Sequence, residues 1–198
     1  MKKIITIILL ILILPVIAFK IYFNKSKKDS LSITSPVNTL NIGSLLPHQE
    51  VNQFFSARFP DEPTFKEQSL PVPRSDKVLD YLEYEQSAQD NSFSVGLIQL
   101  PDKWLRYGSG IVLNQALKLV MTNSGNCELI GKDSKKFKGY PCLEYEYFKV
   151  EGDRCIETAG IIILKNNILY KIEITYPAEQ HSECLDCVNQ FIGNFTPN

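Results

Sequence analysis

Between Gly139 and Tyr176 apolar and polar residues alternate with the period of β-strands. From Pro141 to Tyr147 the two kinds alternate, residue by residue from Leu143 on, as in a strand with one face against a core. Glu151-Gly152-Asp153 predicts a turn. A second strand follows from Arg154 to Leu164, and its run Ala159 to Leu164 is apolar at both parities, which calls for cover on both faces of the sheet. Asn166-Asn167 is a short turn of residues that tolerate unusual backbone angles. The third strand, Ile168 to Tyr176, sets Ile168, Tyr170, Ile172, Ile174 and Tyr176 on one face. Connections this short predict an antiparallel meander.

The pattern continues on both sides of this meander. Phe55, Ala57 and Phe59 share a strand face and Pro60 ends the pairing. A weaker strand is expected from Thr64 to Leu70. Val78–Gln86 and Ser92–Leu100 form a hairpin around Asp90-Asn91. Ser109 is expected as the N-cap of a helix, because Val112, Leu113, Ala116, Leu117, Leu119 and Val120 make an apolar band at helical spacing before Gly125. Cys127 to Ile130 predicts a strand that leads into a turn over Lys135 to Tyr140. A last helix is expected from Ala178 to Ile192, started by Pro177, with Cys184, Leu185, Val188, Phe191 and Ile192 on its apolar side. The class is α+β: an antiparallel sheet with two main helices packed on it, preceded by an N-terminal hydrophobic helix.

That leading segment sets the expected location. Lys2 and Lys3 precede an apolar stretch from Ile4 to Phe19, which resumes after Lys20 with Ile21-Tyr22-Phe23. Residues 1–23 read either as a signal peptide cleaved after Ala18 or as a membrane anchor over residues 4–23, about the thickness of a bilayer core. The anchor is favoured because the apolar character outlasts the cleavage point. Lysines flank both ends, so the positive-inside count does not orient it. A short leader with a basic start is expected to export the chain behind it, so the domain is expected outside the cytoplasm, single-pass if anchored and secreted or periplasmic if cleaved. Residues 24–47, rich in Ser, Thr, Asn and Lys, read as a flexible tether, and residues 48–198 as one globular domain.

Charge removes one class of function. The overall charge is −1. Taking the six lysines and one aspartate of residues 1–47 from the 21 basic and 22 acidic residues leaves 15 and 21, a net of −6 for the domain. An acidic domain repels phosphate, so no nucleic acid is expected as a partner.

Five cysteines, at 127, 142, 155, 184 and 187, are the only reactive constellation. A turn centred on Gly152 puts Cys155 opposite Phe148 or Lys149, too far from Cys142 for a bridge. Cys184 and Cys187 form the possible thiol pair, one turn apart on the last helix and about two turns from its start. Glu183 and Asp186 beside them raise the thiol pKa, against a redox role. His181, Cys184 and Cys187 fall on one helical arc, which suggests a metal site but lacks a fourth ligand. Neither His48 nor His181 has a serine or carboxylate at a motif spacing, so a triad hydrolase is unsupported. Glu144, Glu146, Glu173, Lys149 and Lys171 read as polar strand faces. Trp104, Arg106 and Tyr107 have the composition of a partner contact, set against the simpler role of Trp104 packing over the helix start.

The order of elements resembles the PsbP-like domain superfamily, which includes the photosystem II extrinsic protein, a Ran-binding nuclear import factor and bacterial lipoproteins of the DcrB and LpqN type. The residues that carry the resemblance are Phe59-Pro60 with Pro63, Leu113-Ala116-Leu117 on the helix, Gly139-Tyr140-Pro141, the run Asn166 to Ile172, and Phe191 to Phe195. They span residues 52 to 196. The resemblance implies an α/β/α sandwich and a non-enzymatic binding or assembly accessory of the cell envelope, with a protein partner and no cofactor. It carries over no site residue. The competing expectation is a thiol redox or metal-handling protein that uses Cys184 and Cys187.

Overall fold

The computed structural model describes residues 46–71, 78–88 and 90–198. The expected leader helix and nearly all of the tether lie outside these residues. Among the described residues no helix is long and apolar enough to cross a membrane.

A seven-stranded antiparallel sheet forms the centre. Its strands are β3 (Thr64–Pro71), β4 (Val78–Ala88), β5 (Asn91–Gln99), β6 (Cys127–Phe137), β7 (Tyr140–Glu151), β8 (Arg154–Lys165) and β9 (Ile168–Pro177), in the order β3-β4-β5-β9-β8-β7-β6. The expected meander is β7-β8-β9, and it occupies the interior of the sheet. A three-stranded sheet of β1 (His48–Val51), β2 (Phe55–Phe59) and β10 (Thr196–Pro197) was not foreseen. Its edge strands are too short to show a period. The helices are α1 (Asp102–Leu105), α2 (Ser109–Asn123) and α3 (His181–Asn194).

Two cores result from covering both faces. On one face the small sheet and α3 bring Phe55, Phe59, Phe191 and Phe195 onto Val95, Ile161, Ile172, Ile174 and Tyr176, and Leu46 is buried with them. The other face carries α2, whose Val112, Leu113 and Leu117 pack on Leu143, Tyr145, Ile162 and Leu169. The both-sided apolar run of β8 is thus explained: Ile161 and Ile163 face the first core and Ile162 and Leu164 the second.

Several local expectations are corrected. Ser109 is the first helical residue, and Gly108, at φ 86°, occupies the cap position. Strand β6 does not stop at Ile130 but runs to Phe137, so the turn into β7 is only Lys138-Gly139, both left-handed. The run of lysines there lies on an edge strand, where charge discourages pairing with another chain. In the β7-β8 hairpin the turn takes two residues, Gly152 and Asp153, so Cys155 sits opposite Val150 rather than Phe148 or Lys149. Cys142 pairs with Ile163, about 26 Å along the strands from Cys155, and all five cysteines are free. Finally, residues Ala178–Gln180 form a 3-10 turn and α3 proper begins at His181. Cys184 therefore lies in the first turn of the helix, not two turns in.

Candidate functional site

Helix α2 does not cover its whole face of the sheet. It lies over β7 and β8, and beside it, above β4, β5 and β9, runs a groove of about 760 Å³. That volume is typical of sites for small ligands or inserted side chains. One wall is the flank of α2, with Ile111, Gln115 and Leu119; the other is the β3-β4 edge, with Leu70 and Leu79. Trp104 and Tyr107, from α1 and the turn after it, line one part of it.

The floor is charged. Cross-strand register sets Glu83, Gly96, Lys171 and Ile162 side by side on β4, β5, β9 and β8. The next row holds Ser94, Glu173, Gly160 and Tyr145. Lys171 Nζ donates to Glu173 Oε2 at 2.7 Å and to Glu83 Oε1 at 3.3 Å. The Tyr81 hydroxyl donates to Glu83 Oε1 at 2.7 Å, and the Tyr145 hydroxyl to Glu173 Oε1 at 2.6 Å. Lys171 also stands 5.8 Å from the centre of the Tyr81 ring, within range of a cation-π contact. Beyond it, Tyr145 and Tyr147 stack and the Tyr147 hydroxyl meets Ser124 of the α2 C-terminus at 2.9 Å.

Two glycines make this floor possible. A Cβ on Gly96 would lie 2.2 Å from the Tyr81 hydroxyl, so the missing side chain is the space that lets the phenol lean over β5. At Gly160 a Cβ would come within 2.7 Å of the Ile172 carbonyl and 2.9 Å of the Tyr145 hydroxyl. Both glycines have ordinary strand backbone; close approach, not turning, requires them.

Electrostatically the floor is a sandwich of one cation between two carboxylates, with only 6% of Glu173 exposed. Burial pulls the Lys171 ammonium down, but Glu173, Tyr81 and Glu83 outweigh it and hold it well above the ordinary lysine range. Burial first, then Glu173, pushes the Tyr145 phenol far up. Burial also raises Tyr81, against the pull of Lys171. At neutral pH the lysine is charged and both phenols keep their protons. The set offers hydrogen-bond donors and one fixed positive charge to whatever enters the groove.

The residues singled out from sequence fall in three places. Trp104 is half-buried against the second core and lines the groove, Tyr107 is 66% exposed and lines the same groove, and Arg106 is exposed between them. Cys184 is buried in the first core and Cys187 packs at its edge. Burial raises both thiols, with Glu183 adding to the effect at Cys184 and Cys184 at Cys187. His181 does not join them: its Nδ1 meets Glu157 Oε2 at 2.7 Å and Glu146 Oε1 at 3.5 Å. Sequence reading missed Tyr81, Glu83, Lys171 and Glu173. The available signal was the both-sided burial of β8, since charges on the second face of a neighbouring strand must then lie under the same cover.

No family model and no curated protein matches this chain. Solved structures do. Cyanobacterial PsbP, CyanoP, from Synechocystis superposes with a TM-score of 0.54 at 14% identity, covering 85% of this chain and 99% of that one. A Pseudomonas aeruginosa protein of unknown function, PA94, gives 0.41 at 10%, covering 76% and 96%. LpqN of Mycobacterium tuberculosis, described as involved in cell envelope biogenesis, gives 0.42 at 13%, covering 70% and 86%. The fold is PsbP-like.

Proposed function

We propose that this chain is a non-enzymatic binding module of the bacterial cell envelope, held at the membrane by residues 4–23 or released from it, and that a protein partner docks in the groove beside α2. The observation that carries the reading is the pairing of apolar walls with a charged, hydrogen-bonding floor. An inserted apolar side chain buries surface against Ile111 and Leu119, worth about 25 cal/mol per Å². The floor then rewards a partner whose polar end matches Glu83, Lys171 and Glu173 and rejects one that leaves them unpaired. Trp104 and Tyr107 line this opening and the exposed Arg106 lies between them in the chain, the side-chain types that dominate binding hot spots.

Binding is favoured over catalysis by the state of the reactive groups. The phenols of Tyr81 and Tyr145 and the thiols of Cys184 and Cys187 are all driven away from their reactive forms. A redox or nucleophilic centre needs the reverse.

The test is a photo-crosslinking amino acid placed at Tyr107 in cells, with Val150, exposed on the β7 end of the sheet, as the control position. The reading expects a discrete protein adduct from position 107 that disappears when Leu119→Arg fills the groove, and none from position 150. Equal adducts from both positions, or an adduct indifferent to Leu119→Arg, would overturn it. A small amphiphile released from the purified protein in native mass spectrometry would replace the protein partner by a lipid-like ligand.

A further inference from the structure

On the opposite face of the sheet, away from the groove, three side chains from three elements converge where α3 begins. Glu146 of β7 and Glu157 of β8 sit on diagonal positions of one face, since Glu146 pairs with Ala159 and Phe148 with Glu157. His181, the first residue of α3, comes down onto them. One ligand atom from each lies within 4.8 Å of the others. The hydroxyl of Tyr176, a fully buried side chain paired across the strands with Glu157, points into the same spot, 3.4 Å from His181 Nδ1.

We propose that Glu146, Glu157 and His181 form a site for a divalent transition-metal cation, with the Tyr176 hydroxyl beside it. The three donors come from three different elements, β7, β8 and the start of α3, and present one nitrogen and two carboxylate oxygens to a common point with the Tyr176 hydroxyl beside it. A cation at that point places positive charge directly against two carboxylates. Ligands about 2.0 Å from a tetrahedral ion are about 3.3 Å apart, and the two observed contacts to Nδ1, 2.7 and 3.5 Å, bracket that spacing. One imidazole and two carboxylates suit zinc, and leave at least one coordination position open to water or a ligand. The thiols foreseen from sequence are not part of it: the cluster draws its donors from the sheet, while Cys184 points to the core.

The experiment is calorimetric titration of the chelator-treated full chain with Zn²⁺, followed by Mg²⁺. One Zn²⁺ per chain is expected, with Mg²⁺ at least about 100-fold weaker. Glu157→Gln and His181→Asn should each weaken Zn²⁺ by at least about tenfold, and Cys184→Ser with Cys187→Ser should leave it unchanged. Circular dichroism of each variant without metal verifies folding, and Glu146→Gln replaces any variant that fails it. No stoichiometric uptake, uptake indifferent to Glu157→Gln and His181→Asn, or uptake lost with the cysteines would each overturn the proposal. Failure here leaves the groove reading untouched, because the two sites lie on opposite faces.

Discussion

The Tyr145 hydroxyl donates to Glu173 at 2.6 Å across the bare backbone of Gly160, linking β7 to β9 over the strand between them. Glu173 is held from its other side by Lys171. Each member of this chain is buried on the strength of the next, so its removal costs more than one contact.

Tyr145→Phe deletes one donor to a buried carboxylate. A hydrogen bond to a charged group contributes about 1.5–3 kcal/mol, and a loss of that size is expected in urea unfolding. Lys171→Met is harsher: it leaves Glu83 and Glu173 without their shared cation, and removing one partner from a buried pair costs about 3–5 kcal/mol. A Lys171→Met protein within about 1 kcal/mol of the parent would mean that the floor is solvated and its charges do not depend on one another.

The two glycines of the floor separate a soft collision from a hard one. At Gly96 the added Cβ meets only the tip of Tyr81, which can swing away at the cost of its bond to Glu83. At Gly160 it meets the carbonyl of Ile172, in the middle of the sheet, and that backbone cannot move. Overpacking typically costs about 1–3 kcal/mol. Gly160→Ala is expected at or above the top of that range and Gly96→Ala nearer the bottom, and paired melting curves would show the order. The reverse order would mean that Tyr81 is fixed more tightly than β9.

The sequence made the strands legible where burial alternates, and the side of the sheet each residue faces could be read from Tyr145, Ile161 and Tyr170. It hid what depends on pairing across distance. Glu83 and Lys171 are 88 residues apart and meet only because β5 lies between β4 and β9. Glu173 reads as a solvated strand residue because local alternation cannot tell a wet face from one roofed by a helix. The Cys155 register slips because hairpin pairing depends on a single turn residue, Gly152 against Gly152-Asp153. Helical spacing groups His181 with Cys184 and Cys187, whereas its partners come from β7 and β8.

Thiol reactivity is expected to track burial. All five cysteines have their thiols raised by burial, with neighbouring carboxylates adding to it at Cys142, Cys155 and Cys184. At neutral pH each is therefore slower than a free thiol. Alkylation mass spectrometry on the folded protein should label Cys127, Cys155 and Cys187 slowly, and Cys142 and Cys184, the two buried ones, only after unfolding. Rapid joint labelling of Cys184 and Cys187, or their reversible oxidation to a disulfide, would revive the thiol reading in place of the groove.

Alkaline pH should unfold this domain through its floor. Lys171, Tyr81 and Tyr145 all have folded pKa values raised above their unfolded ones. For a raised group the folded state holds its proton more tightly, so its contribution is complete below the unfolded value and declines as pH climbs toward the folded one. The unfolded values are about 10 for tyrosine and 10.4 for lysine, so these groups leave stability level from neutral pH to about 9 and make it fall above about 10. Tyr84, Tyr147, Tyr170 and Tyr176 are raised as well and share in the fall, so Tyr81→Phe combined with Tyr145→Phe should make it shallower without abolishing it, with lower stability at pH 7. Urea midpoints collected across the alkaline range, with tyrosinate absorbance recorded in parallel, test this directly. If stability climbs between pH 9 and 11, or if the double variant falls as steeply as the parent, the protons of the floor are not what holds it together.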